Sequence, residues 1–161
     1  MKRNDYISWN DYFMAMAQLA AMRSKDPNTQ VGACIVNKDK KIVGVGYNGF
    51  PNGCEDDLFP WGRDNKDPLE NKYLYVAHAE LNAIANSNQK DLNNCVLYVS
   101  LFPCNECAKL MIQSGIKEIY YLKDKYQDLD WEIASKRMLD AAGVKYHQFI
   151  TTCPLINIKL E

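Results

Sequence analysis

Apolar and polar residues alternate along the chain in a pattern that predicts one helix followed by a β-hairpin. Residues 8–11, Ser-Trp-Asn-Asp, form a capping box in its Asp variant, and apolar residues follow at 12, 13, 16, 19 and 20. We expect a first helix that ends near residue 24. Residues 30–36 and 41–47 are β-rich and are separated by polar turn formers, which is typical of an antiparallel hairpin.

The second half of the chain alternates between helical and extended patterns. The expected elements are a helix over 77–86, a strand over 96–100, a helix over 104–114, a strand over 118–122, a helix over 129–142 and a strand over 144–150. This alternation predicts parallel strands, and Gly115 and Gly143 each follow a helix, where a left-handed residue closes the last turn. We expect an α/β fold with a mixed sheet of about five strands and helices on both faces.

The segment between these two halves, residues 48–72, has no regular period. It contains three prolines, three glycines and scattered charges. A connection of this length is uncommon in a compact domain unless it has a function, so we expect it to be functional or ordered by a partner.

Composition and charge argue against some classes of function. The chain has 161 residues, 47% of them hydrophobic, and 19 basic residues against 20 acidic ones. We expect a single domain over 1–161, and the missing basic excess argues against a nucleic-acid partner and favours a small ligand. The sequence has no long apolar run and no secretory signal pattern, so we expect no membrane contact and a cytoplasmic location.

The chain has six cysteines. In the reducing compartment expected for it, these cysteines are predicted to bind a metal or to be buried, and not to form disulfides. Cys104 and Cys107 are three residues apart behind Pro103, which we expect in the first turn of a helix, and there both sulfurs can reach one ion. His78 supplies a third ligand as a neutral imidazole. Three ligands on tetrahedral zinc leave one position for water, which is typical of a catalytic site.

Glu80 lies two residues after His78, and that spacing in a regular helix places them about 200° apart. The two converge only if His78 lies at the mouth of the helix. Glu80 then faces the bound water as a general acid and base without being a ligand. Together, His78-Ala79-Glu80 and Pro103-Cys104-Asn105-Glu106-Cys107 match the signature of zinc-dependent deaminases.

Other interpretations of the motif remain open. A single Cys-x-x-Cys is also typical of a redox pair or of half a structural zinc site. A structural site needs a fourth ligand, and His147, in a late strand pattern, is not expected to supply it. The alternatives are therefore a thiol oxidoreductase, a non-catalytic zinc-stabilised module, and a deaminase of tRNA adenosine or single-stranded nucleic acid.

The sequence resembles the deoxycytidylate deaminases of the cytidine-deaminase superfamily, in their eukaryotic type. The resemblance covers nearly the whole chain and rests on Ser24-Lys25-Asp26-Pro27-Asn28-Thr29-Gln30-Val31-Gly32-Ala33, Gly46-Tyr47-Asn48-Gly49-Phe50-Pro51-Asn52-Gly53, His78-Ala79-Glu80-Leu81-Asn82-Ala83-Ile84 and Pro103-Cys104-Asn105-Glu106-Cys107-Ala108-Lys109. It implies the three-layer fold of that superfamily and hydrolysis of dCMP to dUMP and ammonia, which supplies thymidylate synthesis.

The resemblance also implies roles for individual residues. One zinc per subunit is held by His78, Cys104 and Cys107, and Glu80 moves protons. Asn48 contacts the deoxyribose, Ala79 belongs to the substrate site, and Ser24, Lys125 and Tyr126 are candidates for the 5′-phosphate region. The family resemblance further implies a homohexamer, activation by dCTP, inhibition by dTTP, Mg²⁺ bound with the regulatory nucleotide, and a regulatory loop of Gly49, Phe50, Pro51, Asn52 and Gly53.

Overall fold

A computed structural model describes all residues from 1 to 161 and contains four α-helices around a five-stranded sheet. The helices are α1 (Trp9–Ala21), α2 (Ala79–Ala85), α3 (Asn105–Gln113) and α4 (Asp130–Ala141). The strands are β1 (Gly32–Val36), β2 (Ile42–Tyr47), β3 (Val96–Leu101), β4 (Glu118–Lys123) and β5 (Lys145–Gln148). None of the helices has both the length and the apolar composition of a membrane-spanning segment.

The sheet has the strand order β2-β1-β3-β4-β5. Strand β1 pairs antiparallel with both β2 and β3, whereas β3–β4 and β4–β5 are parallel pairs. The predicted hairpin, the parallel half and the mixed sheet of five strands are therefore confirmed.

Helices cover both faces of the sheet because neighbouring strand residues point to opposite sides. Cys34, Val36 and Tyr98 pack against Phe13, Met14 and Ala17 of α1. The opposite side forms the larger core with the other three helices and includes Ala33, Ile35, Leu97, Val99, Ile119, Ala83, Met111 and Leu139. Strand β2 lies very close to α2, since a Cβ on Gly46 would be 2.3 Å from the backbone nitrogen of Ala83.

Several boundaries differ from the sequence expectations for identifiable reasons. Helix α1 ends at Ala21, and residues 22–24 continue only as turn hydrogen bonds. Helix α2 begins at Ala79 because Ala77 pairs with Gly49 in an isolated β-bridge instead of joining the helix. Strand β5 is shorter than expected, since only four of its residues pair with β4 at the sheet edge.

The long segment after β2 is held by side-chain packing. It includes two short 3-10 turns, Pro68–Glu70 and Lys72–Leu74. Its aromatic rings form a cluster in which the Phe50 and Trp61 ring centroids are 4.2 Å apart, with Phe59 and Tyr75 continuing the contacts. Gly115 and Gly143 have the predicted positive φ angles, 88° and 66°.

Candidate metal and catalytic site

His78 caps α2 rather than lying within it. Its backbone is extended, with φ −74° and ψ 159°, and the first helical residue is Ala79. A capping residue is not bound to the angular spacing of the helix, so its imidazole and the Glu80 carboxyl can face one space. The condition set by the sequence, that His78 lies at the mouth of the helix, is confirmed.

The two cysteines are placed by the start of α3. Cys104 is its N-cap residue, with φ −72° and ψ 171°, and Cys107 lies in its first turn. Pro103 was expected in the first turn, but it precedes the cap, because the helix begins at Asn105. The carbonyl of Pro103 accepts a 2.9 Å hydrogen bond from the Ser135 hydroxyl of α4, which fixes the approach of the chain.

These elements bring three ligand atoms together. Nδ1 of His78 is 3.3 Å from Sγ of Cys104 and 3.5 Å from Sγ of Cys107. All three atoms lie within 4.8 Å of one another. Standard Zn–S and Zn–N bonds at a tetrahedral angle require an S···N separation of about 3.6 Å, so the residues fit zinc.

The electrostatics of the cluster favour a thiolate at Cys104. Hydrogen bonding by Cys107 is the main cause that lowers the pKa of Cys104 to about 4. The hydrogen bond with Cys104 raises the pKa of His78 to about 9. Without a metal, these opposite shifts place the proton on His78 beside a Cys104 thiolate, and a metal bound there would take the place of that proton; the start of α3 stabilises the thiolate charge.

Glu80 is the buried acid of the site. It is 4% exposed, and burial raises the pKa of its carboxyl. It lines the same cavity as His78 and Cys104, with a volume of about 470 Å³. A buried carboxyl with a raised pKa beside a candidate metal site is suited to accept and return a proton.

A buried polar cluster forms another part of the cavity lining. The cluster consists of Asp26, Asn48 and Lys72, and all three residues are buried. Nζ of Lys72 contacts both carboxylate oxygens of Asp26, at 2.7 and 2.5 Å. The Asn48 amide donates to Asp26 and to the carbonyl of Thr29 and accepts from the Val31 amide. Lys72 is not predicted from the sequence, because a lysine in an irregular segment gives no pattern that predicts burial.

Only some of the predicted substrate residues line the cavity. Asn48, Ala79 and Tyr126 line the cavity, whereas Ser24 and Lys125 lie outside its lining. The Ser24 hydroxyl instead donates to the carbonyl of Asn48 at 2.9 Å. Arg63 lines the cavity and was missed by the sequence analysis.

The predicted regulatory residues 49–53 lie outside the cavity lining but adjoin it in the chain. Gly49 exchanges two backbone hydrogen bonds with Ala77, at 3.1 and 2.8 Å. Ala77 directly precedes His78, so the loop contacts the segment that leads to the first candidate metal ligand.

Known proteins are similar to this chain in sequence and in fold. The family model described as cytidine and deoxycytidylate deaminase zinc-binding region matches residues 7–123. The chain is 57% identical to a deoxycytidylate deaminase of Homo sapiens and 58% identical to one of Pongo abelii, in each case over 99% of this chain and 90% of the relative.

A solved structure extends the similarity to the fold. The dCMP deaminase of the cyanophage S-TIM5, crystallised in complex with dCMP and dUMP, superposes with a TM-score of 0.67 at 25% identity. The comparison covers 92% of this chain and 100% of the phage protein. The three-layer fold expected from the family resemblance is therefore confirmed.

Proposed function

Because the chain belongs to the cytidine and deoxycytidylate deaminase family, we propose that it catalyses the zinc-dependent hydrolysis of dCMP to dUMP and ammonia. The observation that carries the proposal is a group of three possible ligand atoms, two of which belong to residues, His78 and Cys104, that line one cavity with the buried Glu80. The high identity to deoxycytidylate deaminases over nearly the full length supports dCMP as the substrate.

His78, Cys104 and Cys107 would hold the zinc, and a zinc ion bound there supplies Lewis-acid activation of water. The carboxyl of Glu80 takes a proton from the attacking water and delivers it to the ring nitrogen next to the reacting carbon. Glu80 then takes the remaining proton from the hydroxyl that has added to the ring carbon and transfers it to the departing amine, so that the C–N bond breaks, ammonia leaves and a ring carbonyl remains. Because Glu80 is buried, bulk water does not compete for these protons.

The substrate is held by the rest of the cavity in this proposal. Asn48 is assigned to the deoxyribose, and its three hydrogen bonds to the protein fix its orientation. Ala79 and Tyr126 are assigned to the same site because they line the cavity with Glu80. The product dUMP would supply thymidylate synthesis.

The proposal extends to regulation by nucleotides. Residues 49–53 would bind dCTP as an activator and dTTP as an inhibitor, with Mg²⁺ accompanying the nucleotide. The pairing of Gly49 with Ala77 supports this role, because a movement of the loop would act directly on the residue that precedes His78. The exposed apolar side chains of Leu69, Tyr73 and Leu74 support assembly into the proposed hexamer.

The test is ammonia release from separate mixtures of the protein with dCMP, CMP, dCTP and a short single-stranded oligonucleotide. Fastest turnover of dCMP is the expected result. Reaction of the oligonucleotide alone would identify a nucleic-acid deaminase instead. Absence of turnover with every substrate, also after addition of dCTP and Mg²⁺, would favour a structural zinc site.

A further inference from the structure

We infer that Arg63 binds the 5′-phosphate of the substrate and thereby selects nucleotides over nucleosides. The inference rests on the proposed function, because it names the group that recognises one part of dCMP in the same cavity. It concerns a residue of the long segment between β2 and α2.

The charge balance of the cavity depends on how its basic residues are paired. Besides the metal ligand His78, its basic residues are Arg63 and Lys72. The ammonium of Lys72 is neutralised by both oxygens of Asp26, and the two side chains are 8% and 2% exposed. A closed ion pair of this kind has no net charge with which to attract a phosphate dianion.

Arg63, in contrast to Lys72, is not part of a buried ion pair. Its only carboxylate contact joins Nε to Oδ2 of the neighbouring Asp64 at 3.5 Å, and half of its side chain is exposed. Both terminal amino groups of the guanidinium are therefore available. A guanidinium presents these donors as a planar fork that matches two phosphate oxygens, and such charge-assisted pairs are among the stronger hydrogen bonds in proteins.

The backbone next to Arg63 is well anchored. The carbonyl of Gly62 accepts a 2.8 Å hydrogen bond from the amide of Lys72, which belongs to the buried cluster. On the other side, the indole of Trp61 packs against Phe50 and donates to the carbonyl of Asp56 at 3.0 Å. A guanidinium carried by an ordered segment loses less conformational entropy on binding.

The other charged groups of the cavity do not offer this chemistry. Glu106 is an acid already paired with Lys109 at 2.7 Å, and Glu80 is the proton carrier. Lys125, the basic residue proposed for the phosphate from the sequence, does not line the cavity. Arg63 is thus the cavity cation whose charge is available to the substrate.

The experiment compares dCMP with deoxycytidine, which differ only by the phosphate. Arg63→Gln should lower kcat/KM for dCMP by about 10- to 150-fold, mainly through KM, since one charge-assisted contact is lost. Turnover of deoxycytidine should change less than about twofold. Lys66→Gln removes an exposed charge of the same segment outside the cavity and should behave as wild type for both substrates.

A binding measurement separates this inference from the proposed function. Titration of dCMP and deoxycytidine into Glu80→Gln and into the double variant Glu80→Gln/Arg63→Gln reports affinity without turnover. The expected result is a weaker Kd for dCMP alone in the double variant. The inference is overturned if Arg63→Gln leaves dCMP affinity unchanged, if both ligands weaken equally, or if Lys125→Gln produces the selective loss instead. A wild-type protein that does not deaminate dCMP would contradict the proposed function and leave this affinity comparison interpretable.

Discussion

Nδ1 of His78 lies 3.3 Å from Sγ of Cys104, although 26 residues separate them in the chain. Each of the two residues caps the start of a helix on the same side of the sheet. Because capping residues have extended backbones, their side chains project beyond the helix ends and meet there. The proposed zinc site therefore lies where two helix starts are side by side.

The first prediction concerns the sulfur ligands. Cys104→Ala and Cys107→Ala should each lose both zinc and dCMP turnover, because a catalytic zinc needs all three protein ligands. Zinc per chain, measured by elemental analysis, should fall from about one to a small fraction of that. Cys153→Ala, in the C-terminal tail, is the matched control and should retain both properties. Full zinc content in either site variant would refute the ligand assignment.

The second prediction concerns the buried pair of Lys72 and Asp26. Lys72→Met leaves the Asp26 carboxylate buried without its counter-charge and should lower the free energy of unfolding by about 3–5 kcal/mol. Adding Asp26→Asn to Lys72→Met should restore part of this loss, since the uncompensated charge is then removed. Urea unfolding at neutral pH measures both effects. Strictly additive losses would show that the two side chains do not stabilise each other.

The third prediction is a pH dependence of stability at Asp11. Burial by itself raises the pKa of this carboxyl, but hydrogen bonds from Thr151, Thr152 and Ser8 outweigh it and lower the pKa to about 2. A carboxyl whose pKa is lower in the folded chain than in the unfolded one stabilises the fold above the unfolded value of 3.8, and this contribution is lost as the pH falls toward 2.

Asp11→Asn should therefore be less stable than the wild type at pH 5, and the difference should shrink toward pH 3. Urea unfolding across this range measures it. Asp5→Asn, an exposed change near the same terminus, is the control and should show a much smaller difference. A difference between Asp11→Asn and wild type that stays constant with pH would contradict the role assigned to the Asp11 charge.

Much of this architecture can be predicted from local sequence signals. Apolar periodicity predicts the helices and strands. Gly115 and Gly143 predict helix ends, and both have the positive φ angles expected of a residue that follows a helix. A metal site with an acid for proton transfer is predicted from the motif of His78, Glu80, Cys104 and Cys107. These signals are local, and each is contained in a few neighbouring residues.

The features that the sequence analysis missed depend on contacts between distant segments. Lys72 is buried because Asp26, 46 residues earlier in the chain, accepts its charge. Arg63 reaches the cavity because an aromatic cluster and the Gly62–Lys72 hydrogen bond hold its segment in place. Neither relationship follows a helical or strand period, so neither can be predicted from the sequence pattern.

The most direct test of the central claim is a side-by-side measurement of zinc content and dCMP turnover in the wild type and in Glu80→Gln. Glutamine keeps the size of the buried side chain but cannot move protons. We predict about one zinc per chain in both proteins, with ammonia release from dCMP lowered by at least about 100-fold in Glu80→Gln. Glu80→Gln protein that holds zinc and still deaminates dCMP at close to the wild-type rate would contradict the role of Glu80 and the mechanism built on it.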